Sequence, residues 1–185
     1  MTLISRRNFA LSALATTTLS ACGNGIGGDG AATIDSRVNS TLNFMYNTYP
    51  GTRDLANKAS GMLVMPVVTE AGLFAGASYG RGALLVGPTT VDYYSATAAS
   101  AGLQIGAQQF SSVLFFMTPD ALMDFRTANG WAVGADVEYA LNDSGETLRA
   151  ETTTSLAPVI AVVFAQAGFR AGATLEGLKY TRIIP

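Results

Sequence analysis

Cys22 carries the plainest chemistry of this 185-residue chain, because it closes the tetrapeptide Leu19-Ser20-Ala21-Cys22. That is a bacterial lipoprotein cleavage box, in which the Cys becomes the lipidated first residue of the mature protein. Upstream, Ser5-Arg6-Arg7-Asn8-Phe9 fits the S-R-R-x-F pattern of a twin-arginine export signal. The run between the two signals is too short and too rich in threonine to span a bilayer. Their order predicts an export signal over residues 1–21, with Arg6 and Arg7 as its recognition pair and Cys22 as a membrane anchor. Gly23, standing where Asp would tend to hold a lipoprotein at the inner membrane, points to an outer-membrane location facing the periplasm.

Other residues invite chemical readings that their surroundings weaken. Gly76-Ala77-Ser78-Tyr79-Gly80 matches the G-x-S-x-G nucleophile elbow, but that motif needs a strand-turn-helix context and a histidine base. The chain contains no histidine, which also removes Cys-His catalysis and most zinc sites. Asp136 and Glu138 fall on one face of a strand and have the spacing for a shared divalent cation, yet a solvated sheet face is the better explanation. Asp120 and Asp124 lie one helical turn apart near a helix start, where the macrodipole favours negative charge. The expectation is a non-catalytic protein with neither cofactor nor metal. The basic residues Lys58, Arg81, Arg170, Lys179 and Arg182 remain as candidates for anionic partners, and lipid headgroups suit a domain tethered beside a bilayer.

Composition narrows the classes further. Hydrophobic residues make up 49% and charged residues 13%, and no apolar run after Cys22 is long enough for a second membrane anchor. Without Arg6 and Arg7, nine Lys and Arg face 13 Asp and Glu, a net charge of −4. Nucleic-acid binding needs the opposite balance. Cys22 is the only cysteine, so a lipidated sulfur leaves no disulfide and stability must come from packing.

The elements that must position any site begin after a glycine-rich tether over residues 22–32, whose reach is about 17 to 19 Å for ten residues. Its literal G-x-G-x-x-G at Gly25, Gly27 and Gly30 lacks the preceding strand that a dinucleotide loop requires. Residues 33–185 read as one domain. Ile34, Val38, Leu42, Met45 and Tyr49 recur every three or four residues and predict a helix over 33–49. Thr52 and Gly61 suit the N-cap and C′ of a second, short helix. Strands follow from Met62, where Met62-Leu63-Val64-Met65 runs into Pro66. Val113-Leu114-Phe115-Phe116-Met117 suits a strand buried on both faces. Thr118-Pro119 opens a helix to about residue 128, residues 142–146 read as a hairpin turn, and strands over 158–164 and 178–184 complete the chain.

An internal echo of the form Gly, large apolar, any, small or aliphatic, Gly, Ala starts at Gly72, Gly102, Gly130 and Gly168. It suggests four equivalent strands whose glycines permit bends or close approaches. The predicted fold is α+β, with N-terminal helices packed on a curved, mainly antiparallel β-sandwich or partly closed barrel and one further helix near 119–128.

From Lys58 to the end, the chain resembles the lipid-binding SYLF domain, also known from actin-patch proteins of fungi and phosphoinositide-binding proteins of animals and plants. The matching residues are Lys58-Ala59-x-Gly61 leading to Pro66, the glycines from Gly72 to Gly82, Ser100-Ala101-Gly102-Leu103-Gln104-Ile105-Gly106-Ala107-Gln108, Phe116-Met117-Thr118 with Ala121-Leu122, Gly130-Trp131-x-Val133-Gly134-Ala135-Asp136, and Leu175-Glu176-Gly177-x-Lys179. The resemblance implies binding of lipid, acidic phospholipid in eukaryotic members, and an actin interaction in some of them. Glu70 stands where many relatives carry Lys. Lys58, Lys179 and Arg182 are therefore the headgroup candidates, and a structural or protein-interaction module of the envelope, its partner unspecified, is the alternative.

Overall fold

The computed structural model describes residues 29–72, 75–101, 106–133, 137–139, 157–164, 175 and 177–185. The export signal with Arg6 and Arg7, Cys22, and the tether as far as residue 28 lie outside these residues, as do Asp136, Arg170 and the turn expected at 142–146. The described chain runs α1 (Gly30–Thr48), α2 (Thr52–Lys58), β1 (Gly61–Gly72), β2 (Ala75–Val86), β3 (Thr89–Ala101), β4 (Gly106–Phe116), α3 (Pro119–Thr127), β5 (Trp131–Ala132), β6 (Val137–Tyr139), β7 (Val159–Phe164) and β8 (Lys179–Ile183). All the strands join one sheet in the order β5-β8-β3-β2-β1-β4-β7-β6. Every pairing is antiparallel except β6 with β7. The sheet curls into a half-barrel with the N-terminal helices packed on it, so the α+β expectation holds in its partly closed barrel form and not as a sandwich.

The sheet is central to two cores. Alternation along each strand sends neighbouring side chains to opposite faces. On one face, Val64, Ala83, Leu85, Val113 and Phe115 meet Ile34, Val38, Leu42 and Met45 of α1 and Leu55 of α2. Each of these large apolar side chains contributes about 1.5–3 kcal/mol by leaving water. On the other face, Leu63, Met65, Leu84, Leu114 and Phe116 pack with Phe125 of α3 and with Leu175, Leu178 and Tyr180. The continuous apolar run of β4 thus feeds both cores, as its sequence predicts.

Pro66 lies inside β1, a strand paired on both sides, where proline is tolerated only at an irregularity. The register shifts by one residue between Val64 and Val67 against β2 and between Met65 and Val68 against β4. The extra residue forms a bulge, and the Pro66 carbonyl accepts a hydrogen bond from Ser111 Oγ at 2.6 Å. The bulge presses on β2. A Cβ on Gly82 would collide with the Val64 carbonyl and come within 2.5 Å of Met65 Sδ, and one on Gly80 would fall 2.8 Å from the Val67 carbonyl oxygen. These two glycines belong to the resemblance motif, and here they are required by backbone approach.

Three expectations change. The second helix ends at Lys58, and Gly61 is the first residue of β1 instead of a helix C′. A Cβ at Gly61 would lie 3.1 Å from both Leu122 methyl groups, so this glycine admits α3. Thr52 is inside the helix, with Gly51 as N-cap, and its hydroxyl donates to the Tyr49 carbonyl at 2.7 Å. The glycine echo does not mark four equivalent strands. Its first copy spans the end of β1 and the start of β2, where Gly72 pairs with Gly76. Its third begins at Gly130, whose φ of 96° precedes the two-residue β5. Small residues recur because chain reversals and strand entries need them, and the fourth copy lies outside the described residues. Thr118 caps α3 as expected, its hydroxyl accepting from the Ala121 N–H at 3.2 Å.

Candidate functional site

Beyond the bulge, the α1 face of the sheet is no longer covered by helix. The register places Val67 opposite Arg81 and Thr69 opposite Tyr79, and directly opposed residues share a face. Arg81 follows the parity of Ala83 and Leu85 in the α1 core, so all four side chains belong to that face. The first turns of α1 close the other side with Thr33 and Arg37. Together with Pro66, Gly80 and Ile34 they bound a cleft of about 180 Å³. Two arginines and, among the described residues, no carboxylate line it, although the chain as a whole has a net charge of −2. Tyr79 is 55% exposed and Val67 40% exposed, leaving an apolar rim.

Local packing fixes this geometry. Arg37 sits between Ile34 and Val38, both buried in the α1 core, so its helix turn is held against the sheet. Asp35, on the same turn, is drawn the other way: its carboxylate accepts from Thr90 Oγ1 at 3.0 Å and from the Tyr93 hydroxyl at 2.9 Å. Burial, and then the bond and charge of Asp35, push the Tyr93 phenol pKa up. Thr69 Oγ1 accepts from Gln109 Nε2 at 3.1 Å, which leaves its own proton available to a ligand.

The headgroup candidates from sequence are not brought together. Lys179 pairs with Thr97, which pairs with Tyr79, which pairs with Thr69. Lys58 closes α2 just before Gly61, eight positions back along β1, or about 26 Å at ~3.3 Å per residue. Lys179 has the parity of Thr97 and Tyr79 and so belongs to the α1 face, two strand spacings or about 10 Å from β2, but its side chain runs the other way, toward β5. Its aliphatic stem lies over Gly130, where a Cβ would collide with it.

Arg182 has the opposite parity and belongs to the α3 face. It pairs with Asp92, to which Arg126 of α3 also binds at 3.2 Å. The Asp92 side chain is 3% exposed, so these two arginines tie α3 and β8 to β3 and Arg182 serves the fold. Beside them the Tyr94 phenol is raised in pKa by burial first and by the Asp92 charge next, against the lowering effect of Arg182 and Arg126.

Ser78 is in the middle of β2, paired with Glu70 and Ala98, and the strand runs on to Val86 without turning into a helix. Glu70 is engaged by Gln108 Nε2, an arrangement internal to the sheet. Asp120 is in the first turn of α3, with Asp124 one turn further along that helix. Among the described residues no three metal-binding side chains cluster, and no helix is long and apolar enough to cross a membrane. Arg37 is the site residue that sequence reasoning missed. In the sequence it is one polar position beside an apolar helical stripe, and only the docking of α1 on β2 gives it a partner.

Residues 97–182 match the family model Ysc84, described as Las17-binding protein actin regulator. A search of curated proteins found no match to the chain. The matched segment runs from within β3 to β8, whereas α1, β1 and β2, which supply the cleft, precede it in the chain.

Proposed function

We propose that this chain is an envelope lipoprotein whose folded domain binds lipid without catalysing a reaction; the match of residues 97–182 to the Ysc84 model is consistent with a SYLF-type, lipid- or actin-related binding module. The observation that carries this reading is the cleft lined by Arg37 and Arg81, with no carboxylate among its described lining residues, on an otherwise acidic chain. Anionic headgroups are the partners such a surface attracts, each basic group near a charged bilayer adding about 1 kcal/mol. The twin-arginine pair Arg6 and Arg7 would deliver the chain through the inner membrane. Lipidated Cys22 would then hold the domain within a short tether's reach of the outer membrane, so that even weak headgroup binding has a high local concentration.

The test is flotation of the chain carrying Cys22→Ser, which cannot be lipidated, with neutral and anionic liposomes at low and physiological salt. Binding to anionic vesicles that weakens with salt and with Lys179→Glu is expected. Absence of binding to either vesicle sinks membrane recognition by the folded domain. The second reading, a protein-interaction module, rests on the family's description as a Las17-binding actin regulator. A stoichiometric protein partner recovered from envelope extracts, with no vesicle binding, would put it first.

A further inference from the structure

We propose that the cleft between α1 and the β1 bulge is a phosphomonoester site, in which Arg37 and Arg81 clamp the terminal phosphate of a lipid headgroup. The proposal rests on the lipid-binding reading only for the source of the phosphate. The site itself is argued from its donors.

Its lining combines two guanidiniums with the hydroxyls of Thr33, Thr69 and Tyr79 and, among the described residues, contains no carboxylate. Guanidinium presents paired N–H groups in a planar fork that matches two phosphate oxygens, a geometry an ammonium lacks. Two forks offer four such donors and a charge of +2. A phosphomonoester near neutral pH carries close to two negative charges and three terminal oxygens. A phosphodiester carries one charge and two free oxygens, and would leave one fork unmatched. The Thr69 hydroxyl accepts from Gln109 Nε2, so its remaining proton is oriented to complete an anion's shell.

The arginines are free for this task. The ion pairs among the described residues involve Arg126 and Arg182, both on Asp92, and the nearest acid on α1, Asp35, is occupied by Thr90 and Tyr93. Both arginines are also carried on rigid supports, as a pre-organised site requires. Arg81 stands on β2 between Gly80 and Gly82, where the bulge fixes the backbone, and Arg37 stands on a turn whose neighbours Ile34 and Val38 are buried. The cleft, about 180 Å³, is smaller than the roughly 300–1,000 Å³ of sites that enclose a drug-sized ligand. A headgroup phosphate enters and acyl chains stay outside, against the apolar rim of Val67 and Tyr79.

Other candidates carry less. The Asp92 cluster is satisfied by its own arginines, and the Glu70–Gln108 pair is internal to the sheet. Phe44, stacked on Phe164 at 6.0 Å, is an exposed aromatic with nothing to identify what covers it.

The experiment uses the full chain with Cys22→Ser and vesicles of phosphatidylcholine doped with either phosphatidic acid or phosphatidylglycerol, adjusted to equal surface charge. A second arm titrates soluble glycerol 3-phosphate by calorimetry. Arg37→Gln, Arg81→Gln and the double variant are compared with Lys58→Gln, and thermal unfolding confirms that each folds.

The expected result is phosphatidic acid bound about tenfold more tightly than phosphatidylglycerol, a preference lost in the double variant and kept in Lys58→Gln, as for loss of charge-assisted hydrogen bonds. Equal binding to the two anionic vesicles, or a double variant that binds like its parent, overturns the site while leaving general lipid binding intact. Arginine-dependent binding of glycerol 3-phosphate without vesicle binding upholds the phosphomonoester site and rejects the lipid as its source. No binding in either arm overturns both.

Discussion

The two halves of the long strands, before and after the bulge at Pro66, are built from different residues and do different work. Before it, Leu63, Val64 and Met65 of β1, Ala83 and Leu84 of β2 and Val113 to Phe116 of β4 are fully buried, with helices on both sides of the sheet. After it, β1 continues as Val67, Thr69 and Ala71 and β2 begins with Ala75, Ala77 and Tyr79, all exposed positions. The same strands therefore supply a core at one end and a solvent-facing surface at the other. The bulge is the junction, because its extra residue exchanges the face to which odd and even positions of β1 point. The cleft sits at this junction, where the sheet offers a rigid floor and open space together.

Replacing a large side chain in the covered half should have the largest effect. Phe116 is fully buried, 4.8 Å from Phe125 and 6.4 Å from Trp131 between ring centres. Phe116→Ala is expected to cost about 3–5 kcal/mol in urea unfolding, against about 0.5 kcal/mol or less for the exposed Thr69→Ala in the open half. Similar losses for the two would break the comparison.

A smaller effect tests the junction itself. Gly82→Ala introduces a Cβ into the Val64 carbonyl and within 2.5 Å of Met65 Sδ, with an expected loss of about 2–3 kcal/mol as for overpacking. A thermal midpoint unchanged by this substitution would mean that the bulge yields and is not a rigid floor.

The smallest effect separates burial from exposure by titration. The Tyr94 side chain is buried, its hydroxyl has no hydrogen-bond partner among the described residues, and its pKa lies above the usual phenol value, by burial first and then by Asp92. The folded state thus keeps a proton that the unfolded chain releases at about pH 10. The stability from this shift is fully present below that pH and is lost as pH rises through the folded value. Tyr94→Phe is expected to be neutral or stabilising by up to about 1 kcal/mol at pH 7, and to flatten the alkaline fall in melting temperature. Tyr93 and Tyr46, raised in the same direction, keep part of that fall. An identical alkaline profile in the variant would remove Tyr94 as a contributor.

Much of the covered half was legible in the sequence. The stripe from Ile34 to Met45 predicts α1, although the helix opens at Gly30, before the expected Thr33. The run Val113 to Phe116 predicts a doubly buried strand, and Thr118-Pro119 predicts α3. These signals are local, written in periodicity and capping that a short window contains. The misreadings come where a glycine's meaning depends on its neighbour across the sheet. Gly61, expected to end a helix, begins a strand, and the first glycine echo marks a hairpin. Lys179 and Arg182, both headgroup candidates from sequence, fall on opposite faces of β8, and Arg182 meets Asp92 through a pairing between β3 and β8 that no sequence spacing announces.

The sequence by itself determined the absence of histidine, the α+β pattern and the helices that cover the sheet. The tertiary structure alone decided which cations share a cleft. Arg37 and Arg81 lie 44 positions apart, and both line it because α1 packs on β1 and β2 beside the Pro66 bulge. Periodicity fixes which face of an element is apolar, but the angle and place at which two faces dock come from side chains interlocking across the core.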